Sequence, residues 1–259
     1  MFRSDAPRHR QPIQVGRVLF EVNTMNEAIM RVIKLALDSS PISVRLANAY
    51  CVALASADSN YGALLIDTGI NFPDGAPVVW FMRWRARRDR LDGAFDRVRG
   101  PSLFSDTIDL ARGYGVRHFF LGSTPGTVNE LTNVLCTEYP GVHISGAYSP
   151  PFGPLSDEFY ADCASRINGT NAQIVWVALG TPKQDFAAVE LSRRTSRPCI
   201  AVGAAFDFAA GTTREAPKWV QNSGIEWLYR LVTEPRRLWR RYLIGNLRFL
   251  YSALRESST

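Results

Sequence analysis

The chain has 259 residues, 46% of them hydrophobic, and a formal net charge of +6. That length suits one large α/β domain with at most a short appendage, and the hydrophobic fraction is enough for a buried core. Its four cysteines, Cys51, Cys136, Cys163 and Cys199, are far apart and form no CxxC pair. This argues against a zinc site or a disulfide framework and for small core residues in a reducing compartment.

Residues 1–15, polar and basic at their start, read as a disordered tail. They contain no apolar h-region and so no signal peptide, and no window of the chain reaches the ~18 apolar residues of a membrane span. Ala28, Ile29, Val32, Ile33 and Ala36 have helical spacing and predict a helix over Glu27 to Leu37. Ser43 to Ala47 (SVRLA) predicts a strand ended by Asn48, followed by helices over Ala49 to Ala57 and Asn60 to Thr68. Asn71 to Gly75 (NFPDG) has the chemistry of a turn, and Pro77 to Phe81 (PVVWF) reads as a strand or a short buried segment.

From Ser105 the pattern is regular. A helix (SDTIDLARGYG), a strand (VRHFFLG), a helix (TVNELTNVLCTEYP) and a strand (VHISGAY) lead to a helix over Asp157 to Asn168. A strand (QIVWVALG), a helix over Lys183 to Thr195 and a strand (PCIAVGAAFDF) complete the series. Helices alternating with buried-looking strands predict an α/β fold: a mostly parallel sheet with helices on both faces. The expected division is a tail over 1–15, an α/β core over 16–220 and a basic amphipathic appendage over 221–259.

Strands of such sheets tend to end at the ligand crevice. Three of them have glycine-containing exits: LGSTPG (Leu121 to Gly126), LGTPKQD (Leu179 to Asp185) and VGAAFDFAAG (Val202 to Gly211). In the first, Gly122 and Gly126 allow close backbone approach, and a helix N-terminus there suits a phosphate; an ordinary strand-to-helix turn explains the same residues. In the second, Gln184 can bond a base or sugar, Lys183 can meet a phosphate or be solvated, and Asp185 can be a first-turn acid favoured by the helix dipole. Asp74 in NFPDG is either a general base or an aspartate satisfying its own turn. The three histidines, His9, His118 and His143, show no HxH or HExxH spacing, so no metal is expected, and no serine sits in a GxSxG elbow.

Near the C-terminus, Gly224 to Glu256 carries seven arginines among tryptophans, tyrosines, leucines and phenylalanine. At ~100° per residue, Arg237, Arg241, Arg248 and Arg255 share one arc, with Leu238, Trp239, Tyr242, Phe249 and Leu250 on the side and rear. This is the pattern of a basic helix lying in a membrane interface, with Trp239, Arg241, Arg248 and Phe249 as contacts. The competing arrangement is a helix packed on the core with a basic outer face. A basic nucleic-acid-binding module is a further reading, but RNP, KH and helix-turn-helix patterns are missing, so no nucleic acid is expected.

The ordered set LANAYCVALASAD, NFPDGAPVVW, DRVRGPSL, FFLGSTPG, VALGTPKQD and VGAAFDFAAGTTREAPKWVQNSGIEWLYRLVTEPRRLWRRY resembles the WecG/TagA/CpsF family of bacterial glycosyltransferases over roughly residues 16–250. The resemblance implies a Rossmann-like α/β domain with a C-terminal helical appendage. It implies an inverting, metal-independent hexosyltransferase without cofactor. Such an enzyme moves a sugar from a UDP-sugar (UDP-ManNAc, UDP-ManNAcA or UDP-Glc) onto a polyprenyl-diphosphate-linked sugar, in exopolysaccharide, common-antigen or teichoic-acid synthesis. Asp74 matches the proposed general base and Asn48 an asparagine near it, while the threonine common two positions earlier is Leu46 here. Arg97 matches an arginine near the donor diphosphate and Gln184 the glutamine of a GxPxQE pattern, whose acid is Asp185 in this chain. Arg230, Arg237 and Arg240 match appendage arginines thought to close over the nucleotide. A lipid acceptor implies a cytoplasmic enzyme, peripheral on the inner face of the cell membrane; a homo-oligomer and an inactive lipid-binding relative are the alternatives left open.

Overall fold

The computed structural model describes residues 10–91, 94–233 and 235–255, without the side chains of residues 222, 230, 237, 238 and 240–244. Six parallel strands form the central sheet: β3 (Ser43–Ala47), β4 (Ile70–Pro73), β5 (Arg117–Gly122), β6 (His143–Tyr148), β7 (Ile174–Ala178) and β8 (Cys199–Ala201), in the order β4-β3-β8-β7-β5-β6. An antiparallel hairpin of β1 (Ile13–Val15) and β2 (Val18–Phe20) stands beside it.

The inner strands β5, β7 and β8 are chiefly apolar on both sides because helices cover both faces, while the edge strand β6 is half-exposed. Phe120, Trp176 and Ile200 point into one layer, where Phe104 meets Phe120 and Trp176 edge-on at 5.8 and 5.0 Å. That layer is covered by α1 (Met25–Leu37) and α5 (Gly100–Ala111). The alternate residues Phe119, Leu121, Val175 and Val177 face α7 (Asp157–Asn168) and α8 (Lys183–Thr195) on the other side. A third cluster joins the hairpin to α2 (Ala49–Ala57), α3 (Ser59–Asp67) and α4 (Ala76–Arg88).

Four expectations from the sequence are corrected. Residues 13–15 are not tail: Ile13, Val15, Val18 and Phe20 alternate inward and are buried, and Arg10 already pairs with Glu27 at 2.8 Å. Residues 1–9 lie outside the described part. PVVWF is helical, since Pro77 sits in the first turn, where its missing N–H costs nothing, and Val78, Val79, Met82 and Ala86 form the buried stripe. Asn71 to Pro73 belong to β4, which leaves the turn to Asp74 and Gly75. The strand in PCIAVGAAFDF stops at Ala201, and Ala205–Ala209 form α9.

The C-terminal region is α10 (Lys218–Ser223), α11 (Glu226–Thr233) and α12 (Pro235–Arg255). The second half of α12 docks on α2 through Gly245, Phe249, Ser252 and Ala253, all buried. At Gly245, Tyr50 Cδ2 would lie 3.6 Å from an added Cβ, so the glycine brings the two helices close. Phe249, expected at a membrane surface, is 3% exposed and packs edge-on against Phe81 at 6.1 Å. Among the described residues no helix is long and apolar enough to cross a membrane.

His118 is fully buried in β5, and its Nδ1 accepts the Trp176 indole N–H at 3.1 Å. Burial, with a smaller contribution from His143, pushes its pKa down to about 3. The native state therefore refuses a proton that the unfolded chain takes up near pH 6.5, so stability falls as pH drops from about 6.5 to about 3, by up to about 1.4 kcal/mol per pH unit. In urea denaturation across that window, His118→Leu is expected to lose about one proton's worth of slope relative to wild type, whatever its absolute stability. An unchanged slope would contradict this.

Candidate active site

The C-terminal ends of β3, β4, β7 and β8 surround a cavity of about 210 Å³. These four strands are neighbours in the order β4-β3-β8-β7, so the loops that leave their C-terminal ends open into one crevice.

Asp74 leaves β4 into this crevice. Its backbone N–H donates to Ala47 O at 3.0 Å, so the two strand ends are tied together. Gly75 follows at φ +84°, a left-handed conformation that aims the chain into α4. Asn48 caps α2, its Oδ1 accepting from the N–H groups of Tyr50 (3.0 Å) and Cys51 (3.4 Å). The cap fixes the asparagine beside Gly75, and both line the cavity with Asp74. Leu46 lines the same corner and presents an apolar wall.

Gln184 enters from the first turn of α8. It is 4% exposed, and its Oε1 accepts from Gly180 N at 3.1 Å. Its neighbour Asp185 points the other way, into the interior, and accepts the Tyr61 hydroxyl at 2.7 Å. Lys183 also turns away, donating to Gly153 O at 2.6 Å beside Phe152 and Phe159, and does not line the cavity.

Arg97 and Arg99 form the cationic wall. Arg97 donates to Gln221 O (2.7 Å) and to Glu226 Oε2 (3.4 Å). Arg99, 5% exposed, pairs with Glu226 through Nε and Nη2 (2.9 Å at the closest) and with Glu215 at 2.6 Å. Burial opposes the charge on Arg99, but these two carboxylates outweigh it and raise its pKa. Charged pairs of this geometry are the strong kind, so Glu226 anchors the start of α11 at the cavity. Trp227 and, from α12, Asn246 complete the appendage's side of the wall.

The structure thus brings Asn48, Asp74, Arg97 and Gln184 around one space. Gly122 is not among the lining residues. At φ +116° it packs where an added Cβ would lie 2.4 Å from Ala178 O, so its lack of a side chain serves strand packing. Gly122→Ala is expected to destabilise the fold by a few kcal/mol, read as a lower unfolding midpoint, while surviving folded protein keeps its ligand affinity. The side chains of Arg230, Arg237, Arg240 and Arg241 lie outside the described part; Trp239 and Arg248 are exposed on α12. Arg99, Glu226, Trp227 and Asn246 went unnoticed in the sequence. Only the Arg-x-Arg spacing in DRVRG hinted at the first of them. Among the described residues no cluster of three His, Cys, Asp or Glu could hold a metal ion.

A model of the glycosyl transferase WecG/TagA/CpsF family matches residues 13–259. A protein of Bacillus spizizenii named N-acetylglucosaminyldiphosphoundecaprenol N-acetyl-beta-D-mannosaminyltransferase is 31% identical over 191 residues, covering 73% of this chain and 70% of the relative. A protein of the same name from Bacillus subtilis is 30% identical over 193 residues, again covering 73% and 70%.

Proposed function

Because the chain belongs to the WecG/TagA/CpsF family of glycosyltransferases, we propose that it transfers a hexose derivative from a UDP-sugar to a sugar carried on a polyprenyl diphosphate. The observation that carries this reading is the convergence of Asp74, Asn48, the Arg97–Arg99 pair and Gln184 on one cavity. The two relatives named for mannosaminyl transfer onto an N-acetylglucosaminyl diphospho-undecaprenol make UDP-ManNAc the first donor to test and that acceptor the first partner.

In the proposed reaction an acceptor hydroxyl attacks C1 of the donor sugar. The new O–C1 bond forms as the bond from C1 to the diphosphate oxygen breaks, and a single displacement inverts the anomeric carbon. The hydroxyl proton passes to the Asp74 carboxylate, a positioned general base. The departing UDP gains a negative charge, and Arg97, more exposed than Arg99 and with a single looser carboxylate contact, is the cation at hand to hold it, while Glu226 and Glu215 already balance Arg99. Gln184, fixed by its bond to Gly180 N–H, offers its amide N–H₂ to the nucleotide or the sugar. α12 presents Leu247, Leu250, Tyr251 and Leu254 outward with Arg248 and Arg255, a surface suited to the inner leaflet of the membrane that carries the acceptor.

The test is a transfer assay with UDP-ManNAc, UDP-ManNAcA and UDP-Glc and a short-chain prenyl-diphosphate-linked sugar. One donor is expected to be consumed, with UDP released in step with product. Arg97→Ala is expected to lower kcat/KM for that donor by roughly 10- to 100-fold, the worth of one charge-assisted contact to a diphosphate. No turnover of any donor by folded wild-type protein would defeat the proposal.

A further inference from the structure

Helix α4 starts at the cavity and runs away from it. Its exposed residues, Trp80, Arg83, Trp84, Arg87 and Arg88, recur at positions i, i+3, i+4, i+7 and i+8, so they form one continuous face opposite the buried stripe. Trp80 and Trp84 are 57% and 47% exposed, and the Arg88 guanidinium stands 5.2 Å over the Trp84 ring. The nearest acid on this helix, Asp89, is already held by Arg85 and Arg88, each at 2.9 Å, and among the described residues Arg83 and Arg87 make no ion pair. Water solvates the two arginines well, but two half-exposed indoles on the same helical face leave apolar surface that a partner would cover. An anionic lipid surface suits both: indoles settle at headgroup depth and arginines meet the phosphates while their stems lie along apolar surface.

The placement adds to this. Ala76 and Pro77, the first turn of α4, line the cavity. Trp80 stands at its mouth, with Cζ2 only 3.1 Å from where a Cβ on the lining residue Gly224 would lie. On the same helix Phe81 packs against Phe249 of α12 and, at 5.1 Å, against Trp84, so the α4 face adjoins the helix whose outer side already suits a membrane.

We propose that the Trp80–Arg83–Trp84–Arg87 face of α4 is a second membrane contact, seated on anionic lipid at the mouth of the cavity. It would hold the opening against the bilayer, so that a headgroup-linked sugar enters without its lipid leaving the membrane. The purpose rests on the proposed transferase reaction; the lipid contact does not.

The test uses the full chain. Flotation with phosphatidylcholine vesicles, with and without phosphatidylglycerol, compares wild type with Trp84→Ser and with Arg83→Gln/Arg87→Gln. Partitioning of each variant onto anionic vesicles is expected to fall roughly tenfold, with weaker salt dependence for the arginine pair. Transfer to a vesicle-embedded long-chain acceptor should fall in parallel, while transfer to a water-soluble short-chain acceptor stays at the wild-type rate. Unchanged partitioning in both variants overturns the proposal. So does a wild type that is dimeric by light scattering, with variants that become monomeric and bind vesicles normally, because the face is then an interface between copies. If wild type binds vesicles through this face but turns over no donor, the lipid contact stands and the transferase reading fails.

Discussion

Asp74→Asn is expected to cut kcat by roughly 10²- to 10⁴-fold while leaving donor KM within a few-fold and the protein folded. Asparagine has nearly the same shape as aspartate, and the tie between strand ends is made by the backbone N–H of residue 74, so the turn and its position survive. What disappears is the carboxylate that would accept the hydroxyl proton. The magnitude separates roles. A residue that only contacted the donor would show mainly in KM, and Arg97, which would also meet the charge developing on UDP, in both KM and kcat, whereas a base acts on the chemical step alone. Steady-state kinetics at saturating donor and acceptor decides the matter, and a variant with wild-type kcat places the base elsewhere.

The second large effect concerns stability. Asp185→Asn is expected to cost about 3–5 kcal/mol and to lower the melting temperature by roughly 10 °C. Asp185 is 3% exposed and Arg45 1%, and the Asp185 carboxylate is the main charge that favours the buried Arg45 cation. Arg45 donates to Asn71 Oδ1 and Leu64 O, both at 2.9 Å, and to Thr68 Oγ1 at 2.8 Å; Tyr61 donates to Asp185. Burial lowers the Arg45 pKa to about 10, opposed chiefly by the charge of Asp185, so at neutral pH the guanidinium remains a cation. Asparagine can still accept from Tyr61 but cannot balance that cation. Tyr61→Phe, which removes one hydrogen bond and leaves the charges alone, should cost only about 1–3 kcal/mol. A mere first-turn acid on the helix dipole would be worth about 0.3–1 kcal/mol, so thermal or urea unfolding of Asp185→Asn distinguishes the two roles. The double variant Arg45→Met/Asp185→Leu should be less destabilised than the sum of its single changes. Asp185 also pins the first turn of α8, from which Gln184 reaches the cavity, so stability and site geometry both depend on it.

Much of the architecture was legible in the chain. The helices over Ala49–Ala57, Asp157–Asn168 and Lys183–Thr195 fall where the sequence places them: the last two each bury one apolar stripe, and the first, apolar nearly all round, starts at its Asn48 cap. The regular alternation after residue 105 determined the parallel, doubly covered sheet, since strands buried on both faces must be continuously apolar. The ordered motifs determined the family, and with it the candidates Asn48, Asp74, Arg97 and Gln184.

Tertiary structure decided what local pattern leaves degenerate. PVVWF has strand-forming residues, and it became a helix because its buried stripe had a core to face. Of three glycine-containing exits, LGTPKQD and VGAAFDFAAG supply cavity-lining residues, whereas Gly122 of LGSTPG sits tightly against Ala178. Phe249 and Leu250 are equally apolar neighbours; Phe249 turned inward because α2 and Phe81 offer it a close-packed seat, and Leu250 stayed outside. The pairing of Arg99 with Glu226 spans 127 positions, a separation no motif can report. Local sequence carries propensity and periodicity, but which apolar face is covered and which charges meet depends on the partner that the fold brings alongside.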